Sequence, residues 1–545
     1  MRRALFLTLF LAGCQAKIVP DAGSDAGFDA GSDAGEEPLG DPSALVFTDV
    51  SAKAGLPAVS RDCMAFRDFD EDGKPDILLT PLSPDRTSVA LALFLNAGDG
   101  GFTRQDIPTD VAKFRACAVS DFDGDGHRDI ALIDGADGRV VLLRQESGPL
   151  RFTQSVAQPS LDAPDAERWS INFADLDADG WPDLIVSTSS VEMTNSADVL
   201  RCDLTADDIL CPLRTDPPAG RPLIFHNDHG RFTLATLTLP PPYGAFPWGL
   251  SAIDWDEDGA TDLFLSYDFL RNQFLHNVNG QLVDLLPGLG ANVYNNGMGA
   301  AFADYDHDGR WDFFVGDVGP NQVWMSTSGG VSNRTRELGV LDASFTAVGW
   351  GPIAADFNND GYDDVFIGNQ MITGTPAELA QITAAGTGSP LDTVDYAFVN
   401  AHGTRFIKQD LPFPRAHDRQ HVRNAVADFD LDGRADILEG PNPVRLLRNE
   451  TPLEPDSANW LDVKIMGPVS VRNAHGVVVT IEIDGKPASK RAVESADGRA
   501  SSSELLHFGL GRARSVSAIH VLWPGGTRQT LGAYDANQAI EISRP

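Results

Sequence analysis

A nine-residue pattern of alternating carboxylates with one glycine occurs seven times in this chain of 545 residues. In the first copy, Asp68 to Asp76, carboxylates occupy positions 1, 3, 5 and 9, and Gly73 occupies position 6. Glycine tolerates the positive φ of a sharp turn, and alternating carboxylates on such a turn converge on one point. Each copy is therefore expected to form a tight acidic loop. We number the loops 1 to 7; loops 2 to 7 begin at Asp121, Asp175, Asp254, Asp304, Asp356 and Asp428.

We interpret each loop as a calcium site, because Ca²⁺ takes about six to eight oxygen ligands from carboxylates and backbone carbonyls. Positions 1, 3, 5 and 9 would supply side chains and position 7 a carbonyl. An Asp/Gly-rich surface turn is the alternative for a single copy, but seven copies in one phase favour calcium. Asn358 replaces Asp in loop 6 and still offers an oxygen. The predicted ligands of up to seven Ca²⁺ are Asp68, Asp70, Asp72, Lys74, Asp76, Asp121, Asp123, Asp125, His127, Asp129, Asp175, Asp177, Asp179, Trp181, Asp183, Asp254, Asp256, Asp258, Ala260, Asp262, Asp304, Asp306, Asp308, Arg310, Asp312, Asp356, Asn358, Asp360, Tyr362, Asp364, Asp428, Asp430, Asp432, Arg434 and Asp436.

An EF-hand loop opens in the same way, but the residues after each acidic loop exclude it. An EF-hand requires a bidentate Glu at position 12 and a helix on either side. Position 12 is Leu79 in loop 1 and Leu132 in loop 2. The segments after the loops, such as DILLT and DIALI, are short, apolar and typical of strands. Each loop is therefore expected to join two strands.

The spacing of the loops predicts a closed ring of sheets. Successive loops start 53, 54, 79, 50, 52 and 72 residues apart, and a period near 50 with strand-like content is typical of propeller blades. The seventh unit lacks a fourth strand, and Val46–Val50 resembles the missing one. We predict an all-β fold: a seven-bladed β-propeller over 44–450 with N-terminal strand closure, followed by a small β-sandwich-like domain over 456–545.

The propeller geometry also predicts which face would bind a ligand. The loops join first to second strands and share one face, whereas the insertions at 187–221 and about 370–395 lie on the other. Loops on a rigid scaffold commonly carry binding residues. The alternatives are aromatic packing in the centre of the ring and, for the histidines, a solvated polar loop. The candidates on this face are Trp169, Tyr243, Phe246, Trp248, Tyr294, Trp350, His417 and His421.

The N-terminus has the features of a targeting segment. Arg2 and Arg3 precede an apolar run that is too short to span a bilayer. Residues 11–14, Leu-Ala-Gly-Cys, resemble the lipobox of bacterial lipoproteins, which implies cleavage after residue 13 and lipidation of Cys14; an ordinary secretory signal is the alternative. Residues 14–43 form an acidic low-complexity tether. We therefore expect the protein to be located in the bacterial cell envelope, most simply as an outer-membrane lipoprotein, and otherwise to be secreted or periplasmic. Its contact with the membrane would be through the lipid only.

Cysteines and net charge limit the remaining possibilities. Cys202 and Cys211 are nine residues apart in one insertion and are predicted to pair. Cys63 and Cys117 precede loops 1 and 2 and would either pair or remain buried thiols. The formal net charge is -36 with no basic stripe, which argues against a nucleic-acid partner.

Two sets of residues resemble known families. The seven loops resemble FG-GAP/VCBS repeats, as in integrin α-chain propellers, which implies calcium within each blade and a ligand on the opposite face. Asn459–Val463, His507–Gly511 and Trp523–Gly526 resemble the ASPIC/UnbV domain. The combination is similar to the cartilage acidic protein family and its bacterial relatives. Ser470–Asn473 and Ala496–Ser503 depart from the domain pattern.

Three functions are consistent with these features. The first is a surface binding or adhesion protein with a protein or glycan ligand. The second is a structural component of an envelope complex, and the third is an enzyme acting on polysaccharide. No Gly-x-Ser-x-Gly or His-Glu-x-x-His motif is present, so we predict a protein that is not an enzyme. An acid/base site around His417 and His421 is the alternative that would favour catalysis.

Overall fold

The structure of the chain is a computed structural model, and the sheets of its described part are built from forty β-strands. Among the residues that the structure describes, no helix has the length and apolarity needed to cross a bilayer. The described residues are 44–83, 88–147, 150–158, 166–190, 203–204, 209–210, 222–235, 240, 246–268, 272–289, 297–317, 320–341, 348–370, 394–411, 413, 422–453, 458–467, 475–493 and 500–545.

Seven sheets are named after the loop that each carries. The N-terminal strand β1 spans Phe47–Asp49. Sheet 1 contains β2 (Ser60–Arg67), β3 (Asp76–Pro81), β4 (Leu91–Asn96) and β5 (Phe102–Ile107). Sheet 2 contains β6 (Phe114–Ser120), β7 (Asp129–Asp134), β8 (Val140–Glu146) and β9 (Arg151–Gln158). Sheet 3 contains β10 (Ala166–Ala174), β11 (Asp183–Ser190), β14 (Leu223–Asp228) and β15 (Arg231–Leu234), with a separate hairpin of β12 (Asp203–Leu204) and β13 (Ile209–Leu210).

The remaining four sheets follow the same order along the chain. Sheet 4 contains β16 (Phe246–Ile253), β17 (Asp262–Asp268), β18 (Gln273–Val278) and β19 (Gln281–Asp284). Sheet 5 contains β20 (Ala300–Ala303), β21 (Asp312–Val315), β22 (Gln322–Thr327) and β23 (Gly330–Asn333). Sheet 6 contains β24 (Val348–Ala355), β25 (Asp364–Gln370), β26 (Asp395–Asn400) and β27 (Phe406–Leu411), and sheet 7 contains β28 (Arg423–Ala427), β29 (Asp436–Gly440) and β30 (Arg445–Asn449).

The strand order confirms the predicted all-β class. Consecutive strands pair antiparallel within each sheet, and β1 pairs with β30 as the fourth strand of sheet 7, with Phe47 opposite Asn449. The first strands are the most crowded, because β2 lies against β6 on one side and β28 on the other. Small residues suit this position, as in Ala-Ala-Phe-Ala of β20, which is buried throughout. Each acidic loop joins a first strand to a second strand, so the loops share one end of the sheets.

A disulfide joins sheets 1 and 2. Cys63 on β2 is bonded to Cys117 on β6, with their Cα atoms 5.2 Å apart. This resolves the two possibilities that the sequence left open for these cysteines. Both residues are buried in the core shared by the two sheets. Cys14, Cys202 and Cys211 lie outside the described residues, so their lipidation and pairing stay predictions.

The C-terminal segment forms two facing sheets and a short ribbon. One sheet contains β31 (Asn459–Met466), β35 (Leu505–Gly511) and β40 (Gln538–Ser543). The other contains β32 (Val478–Ile483), β33 (Lys486–Ala492), β37 (Ala518–Trp523) and β38 (Thr527–Leu531). The ribbon pairs β36 (Ser515–Val516) with β39 (Tyr534–Asp535), and β34 (Ala500–Ser501) leaves this domain for sheet 1. Both sheets contribute to one apolar core, which supports the predicted sandwich-like arrangement. The exact domain limits stay predictions.

Candidate metal centres

The seven loops share one backbone conformation. Glycine at position 6 has positive φ in every loop, from 82° in loop 7 to 100° in loop 6. Position 4 is also left-handed, although only loop 2 has glycine there. Sequence reasoning missed position 4 because its residue types differ. They are Glu71, Gly124, Ala178, Glu257, His307, Asn359 and Leu431, with φ between 56° and 74°.

Backbone N–H groups hold the carboxylates in place. In loop 1, Gly73 N donates to Asp68 Oδ2 at 3.1 Å, and the amide of Asp72 donates to Asp70 Oδ1 at 3.3 Å. Lys74 N in turn donates to Asp72 Oδ1 at 3.0 Å. The bond from position 6 to position 1 recurs in all seven loops. The turn therefore wraps around its own carboxylates and turns them towards one another.

The carboxylate at position 9, on the second strand, links the acidic loop to the third strand. Asp76 is buried, and its Oδ2 accepts from Phe69 N at 2.9 Å while its Oδ1 accepts from Asn96 N at 2.8 Å. The equivalent pair of bonds is present in the other six loops. This side chain fixes the loop to the third strand of its sheet, in addition to its predicted role as a metal ligand.

In six of the seven sheets, a polar residue near the end of the third strand ties its loop to the neighbouring sheet. In sheet 5 the equivalent Ser326 donates to Trp311 O of its own loop, and Trp255 of loop 4 makes the contact between sheets. Asn96 Nδ2 donates to Pro75 O in its own loop at 3.1 Å and to Phe429 O in loop 7 at 2.7 Å. The recurring Asn after an apolar third strand was visible in the sequence but was not assigned this role. The contacts between neighbouring sheets join Asn96 to Phe429, Gln145 to Phe69, Asn227 to Phe122, Asn277 to Leu176, Trp255 to Trp311, Asn400 to Tyr305 and Asn449 to Phe357.

The electrostatics of the loops favour a bound divalent cation. Burial, with a smaller contribution from neighbouring carboxylates, raises the pKa of Asp76 to about 7 and the pKa of Asp129 to about 9. Oxygens of Asp68, Asp70 and Asp76 lie within 4.8 Å of one another, as do those of Asp121, Asp123 and Asp129. In the described part of the chain, one buried oxygen has no hydrogen-bond partner in each of Asp68, Asp175, Asp430 and Asp432. Hard oxygen donors with free lone pairs fit Ca²⁺.

The raised pKa values predict how pH acts on the metal-free protein. A carboxyl whose pKa is higher in the folded than in the unfolded state binds more protons when folded, so stability falls as pH rises between the two pKa values. We expect the free energy of unfolding of the metal-free protein to decrease from pH 5 to pH 7.5, by at most about 1.4 kcal/mol per pH unit for each such carboxyl. Urea unfolding after removal of divalent ions measures this, and a rise in stability over that interval would contradict it.

Three predicted ligand-face residues form one aromatic cluster. The ring centroids of Trp169 and Trp248 are 4.8 Å apart, and those of Trp248 and Trp350 are 5.3 Å apart. Trp248 and Trp350 are buried with Met298, whereas Trp169 is half-buried beneath the guanidinium of Arg115, 4.0 Å from its centroid. Packing in this cluster is sufficient to explain the positions of Trp248 and Trp350. A contact between a ligand and any of the three tryptophans stays a prediction. Tyr243, Tyr294, His417 and His421 lie outside the described residues, as does the side chain of Phe246.

The C-terminal domain lies against the loops, which sequence reasoning did not anticipate. Lys464 Nζ is 3.2 Å from Asp68 Oδ2 in loop 1, and Gly525 N donates to Gly259 O in loop 4 at 2.7 Å. Gly433 in loop 7 lies so close to the Trp460 ring that a Cβ there would overlap it. Further contacts join Lys490 to Gly309 in loop 5 and His507 to Asn359 in loop 6.

One segment of this domain enters the centre of the sheets. Ala500 and Ser501 pair in parallel with Met64 and Ala65 of β2. Next to them, Glu504 Oε2 accepts from Arg128 Nη2 at 2.6 Å. This segment coincides with the stretch that departs from the expected domain pattern, so the departure has a structural role in this chain.

Glu504 is held by two buried arginines. Its Oε1 is 3.4 Å from Arg67 Nε, and its Oε2 pairs with Arg128. Burial alone would raise the pKa of Glu504, but Arg128 and Arg67 outweigh it and hold the pKa below its usual value. Burial also lowers the pKa of the nearby His475 to about 4, and His475 Nε2 lies 3.1 Å from Ser120 Oγ. Glu504 therefore forms a charged anchor between the two parts of the protein.

Comparison with protein families confirms both resemblances. A family described as FG-GAP-like repeat matches residues 68–132, 121–186, 254–315 and 304–367, and a family described as ASPIC and UnbV matches residues 467–545. Cartilage acidic protein 1 of Xenopus tropicalis is 27% identical over 300 residues, covering 52% of this chain and 43% of that protein. Its Homo sapiens counterpart is 26% identical over 304 residues, covering 52% and 42%. The chain thus spans less than half the length of these relatives.

Solved structures similar to this chain include propellers at low identity. The Dos1 propeller has a TM-score of 0.38 at 10% identity, covering 75% of this chain and 94% of its own. An Agrocybe aegerita lectin, described as recognising non-reducing terminal N-acetylglucosamine, has a TM-score of 0.38 at 16% identity, covering 67% and 88%.

Proposed function

We propose that this chain, which carries FG-GAP-like repeats followed by an ASPIC and UnbV domain, is a calcium-stabilised binding protein of the bacterial envelope. The repeat family and the cartilage acidic protein relatives support an extracellular or cell-surface location. The sequence around Cys14 supports a lipid anchor in the outer membrane. Seven loops of converging oxygen donors support Ca²⁺ as the bound ion.

The contact between the C-terminal domain and the acidic loops supports a ligand site on the opposite side. Loops 1, 4, 5, 6 and 7 all touch that domain. A large partner approaching the same side would have to displace it. The opposite side carries the connections between second and third strands and between sheets. Near that end of the sheets, the half-buried Trp169 of β10 lies beneath Arg115 of β6. We propose that a protein or glycan binds there.

Cell-surface capture with two insertion deletions tests this proposal. Residues 191–221 follow β11, which ends at Ser190, and precede β14; residues 371–393 follow β25, which ends at Gln370, and precede β26. Replacing either insertion by a short Gly-Ser linker should leave the four-stranded sheets 3 and 6 intact, although the first deletion also removes the separate hairpin of β12 and β13. We expect the full chain in Ca²⁺ to bind intact cells or glycans on an array, and one or both deletions to reduce that binding at least about tenfold, a change of about 1.4 kcal/mol.

A variant on the other side provides the matched control. Glu541 is exposed on β40 of the C-terminal domain, and Glu541→Lys should leave binding unchanged. Unfolding temperatures of all variants should match that of the parent protein. The proposed site is wrong if both deletions bind like the parent, or if Glu541→Lys abolishes binding while the deletions do not.

A further inference from the structure

The residue before the recurring third-strand polar group differs among the seven sheets, and in four of them its side chain contacts carboxylates of the acidic loop. It is apolar in three sheets, at Leu95, Met325 and Val399. It is arginine in sheets 2 and 7, where Arg144 pairs with Asp123 and Arg448 pairs with Asp430. In sheets 3 and 4 it is histidine, His226 and His276. Only these two loops therefore have an imidazole nitrogen from this strand beside their carboxylates.

The two histidines are placed differently. A single nitrogen of His226, Nδ1, lies 3.1 Å from Asp177 Oδ2 and 3.3 Å from Asp183 Oδ1. His276 instead directs Nδ1 to Asp262 at 3.1 Å and Nε2 towards Asp256 at 3.7 Å. His276 Nδ1 is within hydrogen-bond geometry of Asp262. His276 thus bridges two carboxylates with its two nitrogens, whereas His226 presents one nitrogen to both.

The spacing around His226 matches ligands of one small ion. Two donors bound about 2.0–2.2 Å from one ion, at angles between octahedral and tetrahedral, lie about 2.8–3.6 Å apart. The distances from Nδ1 to both carboxylates fall in this interval. Asp179 completes a group with Asp177 and His226 whose donor atoms lie within 4.8 Å of one another. Asp256 and Asp262 of loop 4 with His276 meet the same spacing, so the single nitrogen shared by two carboxylates is what distinguishes loop 3.

A buried oxygen gives an independent indication of a missing ligand in the same loop. Asp175 is 6% exposed, and its Oδ2 accepts from Gly180 N at 3.0 Å. Within the described residues, its Oδ1 is buried and has no hydrogen-bond partner. A buried oxygen without a donor is costly unless a cation or proton satisfies it.

We propose that loop 3 is a site for a first-row divalent transition metal, with His226 Nδ1 as a ligand beside the carboxylates of Asp175, Asp177, Asp179 and Asp183. Imidazole favours Zn²⁺ and related ions, whereas all-oxygen sites favour Ca²⁺. This proposal goes beyond calcium binding, since it assigns a different metal preference to loop 3 than to the all-oxygen loops. It does not depend on the proposed ligand-binding side.

Zinc titration of the full chain in excess Ca²⁺ tests the proposal. Ca²⁺ should occupy the all-oxygen loops, so that one tight Zn²⁺ site per chain remains measurable by calorimetry. His226→Gln should weaken that site at least about 100-fold, because loss of groups behind a ligand already costs about 10–100-fold. His276→Gln is the matched control and should retain it. His226→Asp restores an oxygen donor and should bind Ca²⁺ in loop 3 instead of Zn²⁺.

Three results would overturn the assignment. One is an equal Zn²⁺ affinity in His226→Gln and the parent. The second is equal weakening by His276→Gln, and the third is displacement of the tight Zn²⁺ by Ca²⁺. His226 is 40% exposed, so its substitution should leave the unfolding temperature in Ca²⁺ unchanged. If Ca²⁺ failed to stabilise the protein, the calcium proposal would fall, while the Zn²⁺ titration would still decide whether His226 binds metal.

Discussion

Saturating Ca²⁺ is expected to raise the unfolding temperature of the metal-free protein by roughly 20 °C. Each site contributes about 2.7 kcal/mol when free Ca²⁺ is 100 times its dissociation constant, and the six loops other than loop 3 belong to connected sheets. A unit of about 400 residues has an unfolding entropy near 0.8 kcal/mol/K, which converts the summed effect into that shift. The formal charge of -36 adds to the effect, because bound cations relieve repulsion among carboxylates. Calorimetry in chelator and in Ca²⁺ measures the shift.

A pair of Asp→Asn variants distinguishes loop binding from general charge screening. Asp258→Asn removes one ligand at position 5 of loop 4 and should reduce the Ca²⁺-induced shift by about 3 °C. Asp106→Asn removes the same charge at an exposed position of β5, where Asp106 pairs only with Arg104 in the described structure, and should leave the shift unchanged. The interpretation of the loops as calcium sites would be contradicted if the unfolding temperature did not change with Ca²⁺, or if both variants reduced the Ca²⁺-induced shift equally.

The loops were predictable because their chemistry is local. The six consecutive positions Asp68–Gly73 already specify a turn whose carboxylates converge, and the apolar run from Asp76 specifies the next strand. The regular return of this unit predicts repeated antiparallel sheets, because each loop must join neighbouring strands. The all-β class follows from the same pattern, since the segments that follow the loops are short, apolar and strand-like.

Features that depend on contacts between distant residues were not predictable in this way. Position 4 adopts a left-handed φ even where Leu431 occupies it, because the hydrogen bonds of the whole loop outweigh the preference of one residue. The role of Asn96 depends on the closeness of Phe429 O, 333 residues away. The position of the C-terminal domain depends on shape and charge complementarity between two surfaces, and no sequence period records it.

Glu504→Ala is expected to destabilise the protein by about 3–5 kcal/mol, because it leaves Arg67 and Arg128 buried without their anion. The side chains of the arginines are only 2% and 7% exposed, so water cannot readily replace the carboxylate. The pairing of β34 with β2 should then weaken. Urea unfolding measures the stability change, and hydrogen exchange at the amides of Met64 and Ala65 reports loss of the pairing with β34.

A double variant separates charge pairing from simple loss of packing. Replacing Glu504 and Arg128 together by leucine removes the Arg128 charge that Glu504→Leu leaves unpaired. The double variant should therefore be more stable than the sum of the two single effects predicts, by a coupling energy of about 0.5–3 kcal/mol. Glu541→Ala, on the exposed side of the same domain, should change stability by less than about 0.5 kcal/mol. If the double variant is no more stable than the sum of its parts predicts, the ion pair does not anchor the domain. If Glu504→Ala also keeps the exchange protection of Met64 and Ala65, the segment is held by its apolar contacts alone.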